Sequence, residues 1–186
     1  IYVLGIYNGH NATAALLRDG KIIACVSEER FVGIKNFIGF PKKSIDWCLS
    51  YAGITGKDLD VVVFPYTVEV PIYIGDGNSK NSSVNILSIL YKTVGYIRKL
   101  WGKFVFIFPL FRPLGSYAYV VSSRAVGAYV TNKQRQFTAI YLGIPVKKIV
   151  NFNHHLSHAA AACYSSGFNK QKGLVFTLDG EGDGLC

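Results

Sequence analysis

The 186-residue chain lacks methionine, closely spaced cysteines and any apolar run long enough to span a membrane. A spanning helix needs about 18 consecutive apolar residues, and the runs at 84–91 and 104–111 are too short. The four cysteines form no close pair, which argues against a disulfide framework and a zinc ribbon. No apolar leader follows a basic start. We therefore expect a cytoplasmic protein without stable membrane insertion.

Carboxylates are missing from residues 77–178, which carry 13 basic side chains. Residues 1–76 are nearly balanced, with seven basic and eight acidic side chains, and the last eight residues contain three acids. The net charge of +9 therefore originates in the acid-free stretch. Such a stretch favours polyanions, anionic lipid surfaces or phosphate-bearing substrates. The alternative is that acidic parts of a longer chain cover it.

The order of apolar segments predicts an α/β domain with a mixed sheet and flanking helices. Half of the residues are hydrophobic, which excludes a disordered chain and allows a sizeable core. The first three strands should form an antiparallel meander, and the Val-rich fourth strand predicts a sheet covered on both faces. The predicted strands are 1–6, 12–17, 21–27, 60–64, 148–153 and 174–178, and the predicted helices run from Pro41 to Gly53, over 117–141 and over 155–166.

Residues 66–115 do not fit this alternation. Basic and aromatic side chains interleave between 84 and 112, a pattern that suits a membrane surface or single-stranded nucleic acid. The alternative is an inserted subdomain whose aromatic side chains form a small core of their own. Because the chain has no initiator methionine and stops directly after a Gly-rich acidic turn, we also expect a fragment of a longer protein.

Three of the four histidines fall within residues 154–158. If a helix begins near His154, then His154 and His158 stand one turn apart on the same face. Two imidazoles at that spacing can hold one divalent metal ion. His155 occupies the position where a zinc protease needs Glu, which argues against that class. The alternative is that these histidines cap the helix or pack in a polar pocket.

An acidic, Gly-rich turn follows the last predicted strand. A carboxylate at a strand end can bind a metal ion, and the amides of Gly180 and Gly182 leave room for phosphate oxygens. Asp179 could therefore complete a site of two histidines and one carboxylate, a set typical of iron and compatible with other metals.

Two earlier segments also carry chemically useful side chains. His10 lies at the tip of the turn after the first strand, where an imidazole can act as a general base or polarise a carbonyl. The alternative is a solvent-exposed turn histidine. Residues 27–31, taken alone, are an ordinary solvated edge, yet Arg30 and the nearby Lys35 suit a carbamoyl or nucleotide phosphate.

Together these segments resemble the N-terminal part of the O-carbamoyltransferase family of nodulation and antibiotic-tailoring enzymes. The segments that carry the resemblance are 9–20, 28–31 with Lys35, 40–41, 154–159 and 179–182. The resemblance implies an actin-like ATPase (ribonuclease H-like) fold for a domain similar to the universal tRNA threonylcarbamoyladenosine protein. It also implies a second, adenylate-forming domain beyond residue 186. Asn11 stands where the family usually has Asp.

The resemblance implies that carbamoyl phosphate and ATP give carbamoyl-adenylate, whose carbamoyl group passes to a hydroxyl of a sugar-like or natural-product acceptor. It assigns His154, His158 and Asp179 to a divalent metal, with iron favoured, and a fourth, acidic ligand beyond Cys186. It assigns His10 to catalysis. Substrate and nucleotide binding fall to Arg30, Lys35, Gly180 and Gly182.

The expected partners are a small hydroxyl acceptor, the second domain of the same chain and, in addition, a second copy in a homodimer. Two other functions remain open at this point. One is a tRNA threonylcarbamoyladenosine transferase from the wider superfamily. The other is a non-catalytic basic module that binds nucleic acid or membrane through residues 84–148 and needs no metal.

Overall fold

A computed structural model describes residues 1–67, 93, 96, 100, 112–167 and 172–179, with side chains from 127 onward in the long helix. In chain order the strands are β1 (Tyr2–Tyr7), β2 (Thr13–Arg18), β3 (Lys21–Ser27), β4 (Val61–Phe64) and β5 (Ile149–Asn151). The α-helices are α1 (Glu29–Val32), α2 (Lys42–Ala52), α3 (Arg112–Leu142) and α4 (His154–Ser165), with short 3-10 turns at Gly56–Asp58 and Val146–Lys148.

The five strands form one mixed sheet in the order β3-β2-β1-β4-β5. The first three strands pair antiparallel, as the meander predicts, whereas β4 pairs parallel with both β1 and β5. The α/β class with a mixed sheet is thereby confirmed. Parallel neighbours need a crossover connection, and α2 lies in the first of these connections while α3 lies in the second.

One row of buried side chains crosses the whole sheet and sets its register. The row comprises Ala24, Leu16, Leu4, Val62 and Ile149, each paired with the next across adjacent strands. All of them are buried. Side chains in a strand alternate between faces, so a slip by one residue would turn this row out of the core. Val61 and Val63, which alternate to the other face of β4, are only partly buried, so the described residues cover that face less completely than the prediction implies.

Helix α2 begins and ends as its sequence predicts, but its N-terminus is capped from a distance. Ile45 and Cys48 are buried against the sheet, and Gly53 ends the helix in the left-handed conformation. Pro41 precedes the first turn and offers no side-chain cap. Glu28 supplies it instead, accepting hydrogen bonds from the amides of Lys43 (3.1 Å) and Ser44 (2.8 Å).

Glu28 is therefore not part of a solvated edge. Its side chain is 3% exposed, and it also accepts a hydrogen bond from the Ser44 hydroxyl at 2.8 Å. A carboxylate at a helix N-terminus satisfies amides that have no partner within the helix and interacts favourably with the helix dipole. The neighbouring Glu29 and Arg30 are more exposed, as expected for an edge.

Helix α3 packs its C-terminal half on the same core as α2. Phe40, just before α2, meets the rings of Phe137 and Tyr141 edge to face, at 5.0 and 5.4 Å between ring centroids. The Tyr141 hydroxyl donates to the Asp46 carboxylate on α2. Gly56 lies so close to the Leu142 carbonyl that a Cβ at this position would collide with it. These contacts fix the end of α3 beside the start of β4.

The predicted helices at 117–141 and 155–166 and the strand at 148–153 are confirmed within a few residues of their ends. The predicted strand at 174–178 is wrong. Residues 172–179 pair with no strand in the described part of the chain, and Leu174, Phe176 and Leu178 are exposed. A β-strand needs a hydrogen-bonded neighbour, which the described sheet does not offer to this apolar segment.

Most of the region 66–115, including most of the basic and aromatic segment at 84–112, lies outside the described residues; within that segment Thr93, Tyr96 and Leu100 are described and helical. Among the described helices, none combines the length and the apolar character needed to cross a bilayer.

The cap on α2 generates a stability prediction. Changing Glu28 to Ala should destabilise α2 by about 1–3 kcal/mol, because buried amides and a hydroxyl lose their acceptor. Hydrogen exchange in the full-length protein should show faster exchange of the Lys43 and Ser44 amides. Glu29→Ala is the matched control, since the Glu29 carboxylate accepts from the exposed Asn36 amide and not from the amides that begin α2. Equal exchange in the two variants would contradict the capping role.

Candidate functional site

The candidate site lies where the parallel strands end. The carboxyl ends of β1, β4 and β5 meet at one edge of the sheet because these strands run in the same direction. Ligands of open α/β sheets bind at such edges. Three short segments leave the strands here: the turn that carries His10, residues 65–67, and the entry into α4.

Helix α4 starts at His154 and brings two histidines onto one face. Asn153 caps the helix, its side-chain oxygen accepting the Leu156 amide at 3.0 Å. His154 and His158 are therefore one turn apart, with 3.1 Å between their Nε2 atoms and their rings nearly perpendicular. The structure confirms the helix start predicted near His154. It also confirms that the two imidazoles lie on the same face of the helix.

Asp179 joins these two histidines. Its Oδ2 lies 2.7 Å from Nε2 of His154 and 3.3 Å from Nε2 of His158. One potential ligand atom from each of the three residues falls within 4.8 Å of the others. We call this group the His-His-Asp cluster. Two of its members lie on α4, and the third, Asp179, lies in the segment 172–179, which follows that helix in the chain.

The hydrogen bonding of His154 shows what the cluster requires. Its Nδ1 lies 3.1 Å from the Pro65 carbonyl, an oxygen that can only accept, so Nδ1 carries a proton. In the neutral ring Nε2 is then an acceptor that faces the Asp179 oxygen, also an acceptor. Nε2 of His158 lies beside both of these acceptors, and a metal ion or a proton placed among the three atoms makes the arrangement favourable. A backbone carbonyl on the second nitrogen is the usual support of a metal-binding histidine. The residues present thus fit a divalent metal ion.

His155 helps to place the segment that carries Asp179. Its Nδ1 faces the Thr177 hydroxyl at 3.5 Å, two residues before Asp179, while its Nε2 is buried without a hydrogen bond to the described residues. His155 therefore points away from the pair formed by His154 and His158, and it contributes no atom to the cluster.

Tyr7, the last residue of β1, faces the cluster from the sheet. Burial raises the pKa of the Tyr7 hydroxyl, and the negative charge of Asp179 raises it further. The tyrosine ring also lies over Gly9, where a Cβ would collide with the hydroxyl. The turn before His10 therefore needs glycine in order to leave room for this ring.

A family model described as the carbamoyltransferase N-terminus matches residues 2–185. The chain belongs to the carbamoyltransferase family.

Two relatives of this carbamoyltransferase-family chain align over 174 residues, or 94% of it, at 28% identity. One is the nodulation protein NolNO of Sinorhizobium fredii, and the other is an uncharacterized protein of Synechocystis. The chain spans only 20% and 24% of their respective lengths. An uncharacterized protein of Methanocaldococcus jannaschii is 48% identical over 48 residues, which cover 26% of the chain and 9% of that protein.

The remaining residues that the resemblance assigns to function are not members of the cluster or lie outside the described residues. His10 is exposed at the tip of the turn after β1, on the same sheet edge as the cluster. Arg30, in α1, and Lys35, in the turn that follows it, are exposed. Gly180 and Gly182 lie outside the described residues.

Four further groups at this edge carry no distinctive sequence signal: Tyr7, the Pro65 carbonyl and the buried side chains of Asn8 and Tyr66. The available signal was positional, since Tyr7 and Asn8 end the first strand and Pro65 and Tyr66 directly follow the fourth. Every residue has a backbone carbonyl, so the sequence does not reveal which one accepts a hydrogen bond from His154. The role of Pro65 follows from the fold.

The environment of Tyr7 generates a pH prediction for the metal-free protein. Asp179→Asn removes a negative charge that disfavours the phenolate, so the pKa of Tyr7 should fall. It should remain above its ordinary value because burial, the larger cause, persists. Titration of tyrosine carrying ¹³C at Cζ, followed by NMR, measures this shift. Asp19→Asn, an exposed carboxylate in the β2–β3 hairpin, is the control and should leave the pKa unchanged. Equal pKa values of Tyr7 in the two variants would contradict the position of Asp179 beside Tyr7.

Proposed function

We propose that residues 1–186 are the N-terminal part of an O-carbamoyltransferase that transfers a carbamoyl group from carbamoyl-adenylate to a hydroxyl of a sugar-like or natural-product acceptor. The observation that carries this proposal is the His-His-Asp cluster at the sheet edge of a chain whose family match covers residues 2–185. The relative named for nodulation gives further support. Carbamoyl phosphate and ATP would supply the carbamoyl-adenylate.

The proposal includes a fold and a domain organisation. An actin-like ATPase fold is supported by the mixed sheet, in which an antiparallel meander is extended by two parallel strands through helical crossovers. A second, adenylate-forming domain beyond residue 186 is supported by the small share of the relatives that the chain covers. Residues 66–115 would be an insert in the first domain. A homodimer and a cytoplasmic location belong to the same proposal, the latter supported by free thiols at Cys25, Cys48 and Cys163.

A divalent metal ion, with iron the expected metal, would be held by Nε2 of His154, Nε2 of His158 and the carboxylate of Asp179. A bound cation there supplies positive charge that stabilises the phosphate of the adenylate as it leaves. Within the chain itself, the Pro65 carbonyl keeps Nδ1 of His154 protonated and thereby directs Nε2 toward the ligand position.

His10 would act as the general base for the acceptor. The acceptor oxygen attacks the carbamoyl carbon, the bond from that carbon to the adenylate phosphate oxygen breaks, and AMP leaves. The acceptor proton passes to the imidazole of His10. The position of His10 on an exposed turn at the sheet edge supports this role, since an acceptor can reach it from solvent.

Arg30, Lys35, Gly180 and Gly182 would bind the substrate and nucleotide. The guanidinium and ammonium groups are exposed and can donate to phosphate oxygens. Gly180 directly follows Asp179 and Gly182 comes two residues later, so the sequence offers their amides to phosphate oxygens near the proposed metal ligand.

Metal content tests the first half of this function. The full-length protein should retain about one divalent ion per chain, and His158→Ala should lose it because two ligands hold a divalent ion far less well than three. Elemental analysis of the purified proteins provides the measurement. His10→Asn serves as the histidine control and should keep its metal. Retention of the ion by His158→Ala would remove this residue from the ligand set.

Separating the two chemical steps tests the second half. In the full-length protein, His10→Asn should leave pyrophosphate release from ATP unchanged and slow carbamoyl transfer by about 10²–10⁴-fold, the usual contribution of a general base. Transfer can be followed as consumption of carbamoyl-adenylate in the presence of a panel of monosaccharides. A matching loss in both steps would place His10 in adenylate formation instead.

A further inference from the structure

Residues 65–67 lie between the His-His-Asp cluster and the core, and we call them the strap. The strap directly follows β4 and is held by both neighbouring elements. The Asn151 side-chain amide, at the end of β5, donates to the Tyr66 carbonyl at 3.0 Å. The Thr131 hydroxyl on α3 donates to the Thr67 carbonyl at 3.5 Å. On its outer side the strap presents the Pro65 carbonyl to Nδ1 of His154.

The Tyr66 hydroxyl joins the strap to two further elements. It donates to the Asn8 side-chain oxygen at 2.5 Å and accepts from the Gln134 side-chain amide at 2.6 Å. Asn8 is the first residue after β1, and Gln134 lies on α3. Tyr66 is 7% exposed, Asn8 3% and Gln134 2%. Buried polar groups depend on such partners because no solvent replaces them when one is removed.

The same chain of contacts reaches both functional histidines. Pro65 and Tyr66 are consecutive, so a displacement of the Tyr66 ring moves the peptide whose carbonyl orients His154. Asn8 stands two residues before His10, and its own carbonyl accepts the Gly39 amide at 3.0 Å, which anchors the start of the turn. The Tyr66 hydroxyl is thus the point at which the turn of His10, the support of His154 and helix α3 meet.

We propose that Tyr66 is a positioning residue that sets the orientation of His154 as a metal ligand through the Pro65 carbonyl, and holds it in fixed relation to the His10 turn. This inference rests on the metal site of the proposed function. Tyr66 touches neither metal nor substrate in this role. It acts by fixing the strap from behind, with Asn8 and Gln134 as its two anchors.

The test uses Co²⁺ as the probe, because its visible spectrum reports the ligand geometry directly and needs no turnover. Metal-free full-length protein is titrated with Co²⁺, and the dissociation constant and the d–d bands are recorded. Tyr66→Phe removes only the hydroxyl. We expect affinity for Co²⁺ to fall about 10-fold, with altered bands; this is the lower end of the effect of losing a ligand's direct partner, because the Pro65 carbonyl itself stays in the chain. Tyr129→Phe is the control. Tyr129 lies on the exposed side of α3, the helix that also carries Gln134, and its ring faces Lys133.

A second variant guards against a simple loss of folding. Gln134→Met removes the amide that Tyr66 accepts from while keeping a similar volume, and it should shift the same bands in the same direction. Unchanged affinity and spectrum in folded Tyr66→Phe would overturn the positioning role while leaving the metal site intact. Failure of the unaltered protein to bind Co²⁺ would overturn the metal site itself, and the positioning role with it.

Discussion

Parallel pairing of β1, β4 and β5 is the constraint on which the candidate site depends. It brings three strand ends to one edge of the sheet, although His10, Pro65 and His154 are far apart along the chain. The pairing is held by the buried row from Ala24 to Ile149. Since a slip of one residue would reverse the face of every side chain, the apolar row also fixes where each strand stops. The positions of the polar groups at the edge are therefore set by the core.

Polar side chains are buried where this core ends, and each has a structural task. Glu28 caps α2, while Asn8, Tyr66 and Gln134 meet beneath the strap. A buried polar group is costly unless it is hydrogen-bonded, and it then specifies one arrangement of its neighbours more sharply than an apolar contact does. The apolar row determines the fold, whereas these polar contacts determine orientations at the ends of strands and helices.

Much of the fold could be predicted from the sequence because its elements are local. Turn residues delimit the first three strands, Gly53 ends α2, and the spacing of His154 and His158 puts both on one face of α4. The segment at 174–178 looked like a strand because it is apolar and β-branched in part. It has no partner in the described sheet, and strand formation depends on a partner as well as on composition.

The candidate site was predictable only where its side chains are themselves distinctive. Two histidines one helical turn apart and an aspartate after the next apolar segment mark the cluster, and these residue types stand out in the sequence itself. Glu28 looked like a surface residue, because nothing in the local sequence shows that it reaches a helix start 15 residues away. The carbonyl of Pro65 is invisible to any argument from residue type. Long-range hydrogen bonds to backbone atoms come from topology alone.

The three members of the His-His-Asp cluster are held with unequal firmness. Asn153 caps the helix that carries both histidines, and the strap fixes one ring of the pair from behind. Asp179 belongs to a segment whose apolar side chains are exposed and whose contact through Thr177 is long. A ligand from a loosely held segment pays its ordering cost on binding, whereas ligands on a supported helix do not. The affinity of the proposed centre for a metal ion therefore depends on how well the strap orients His154, and Asp179 completes the ligand set.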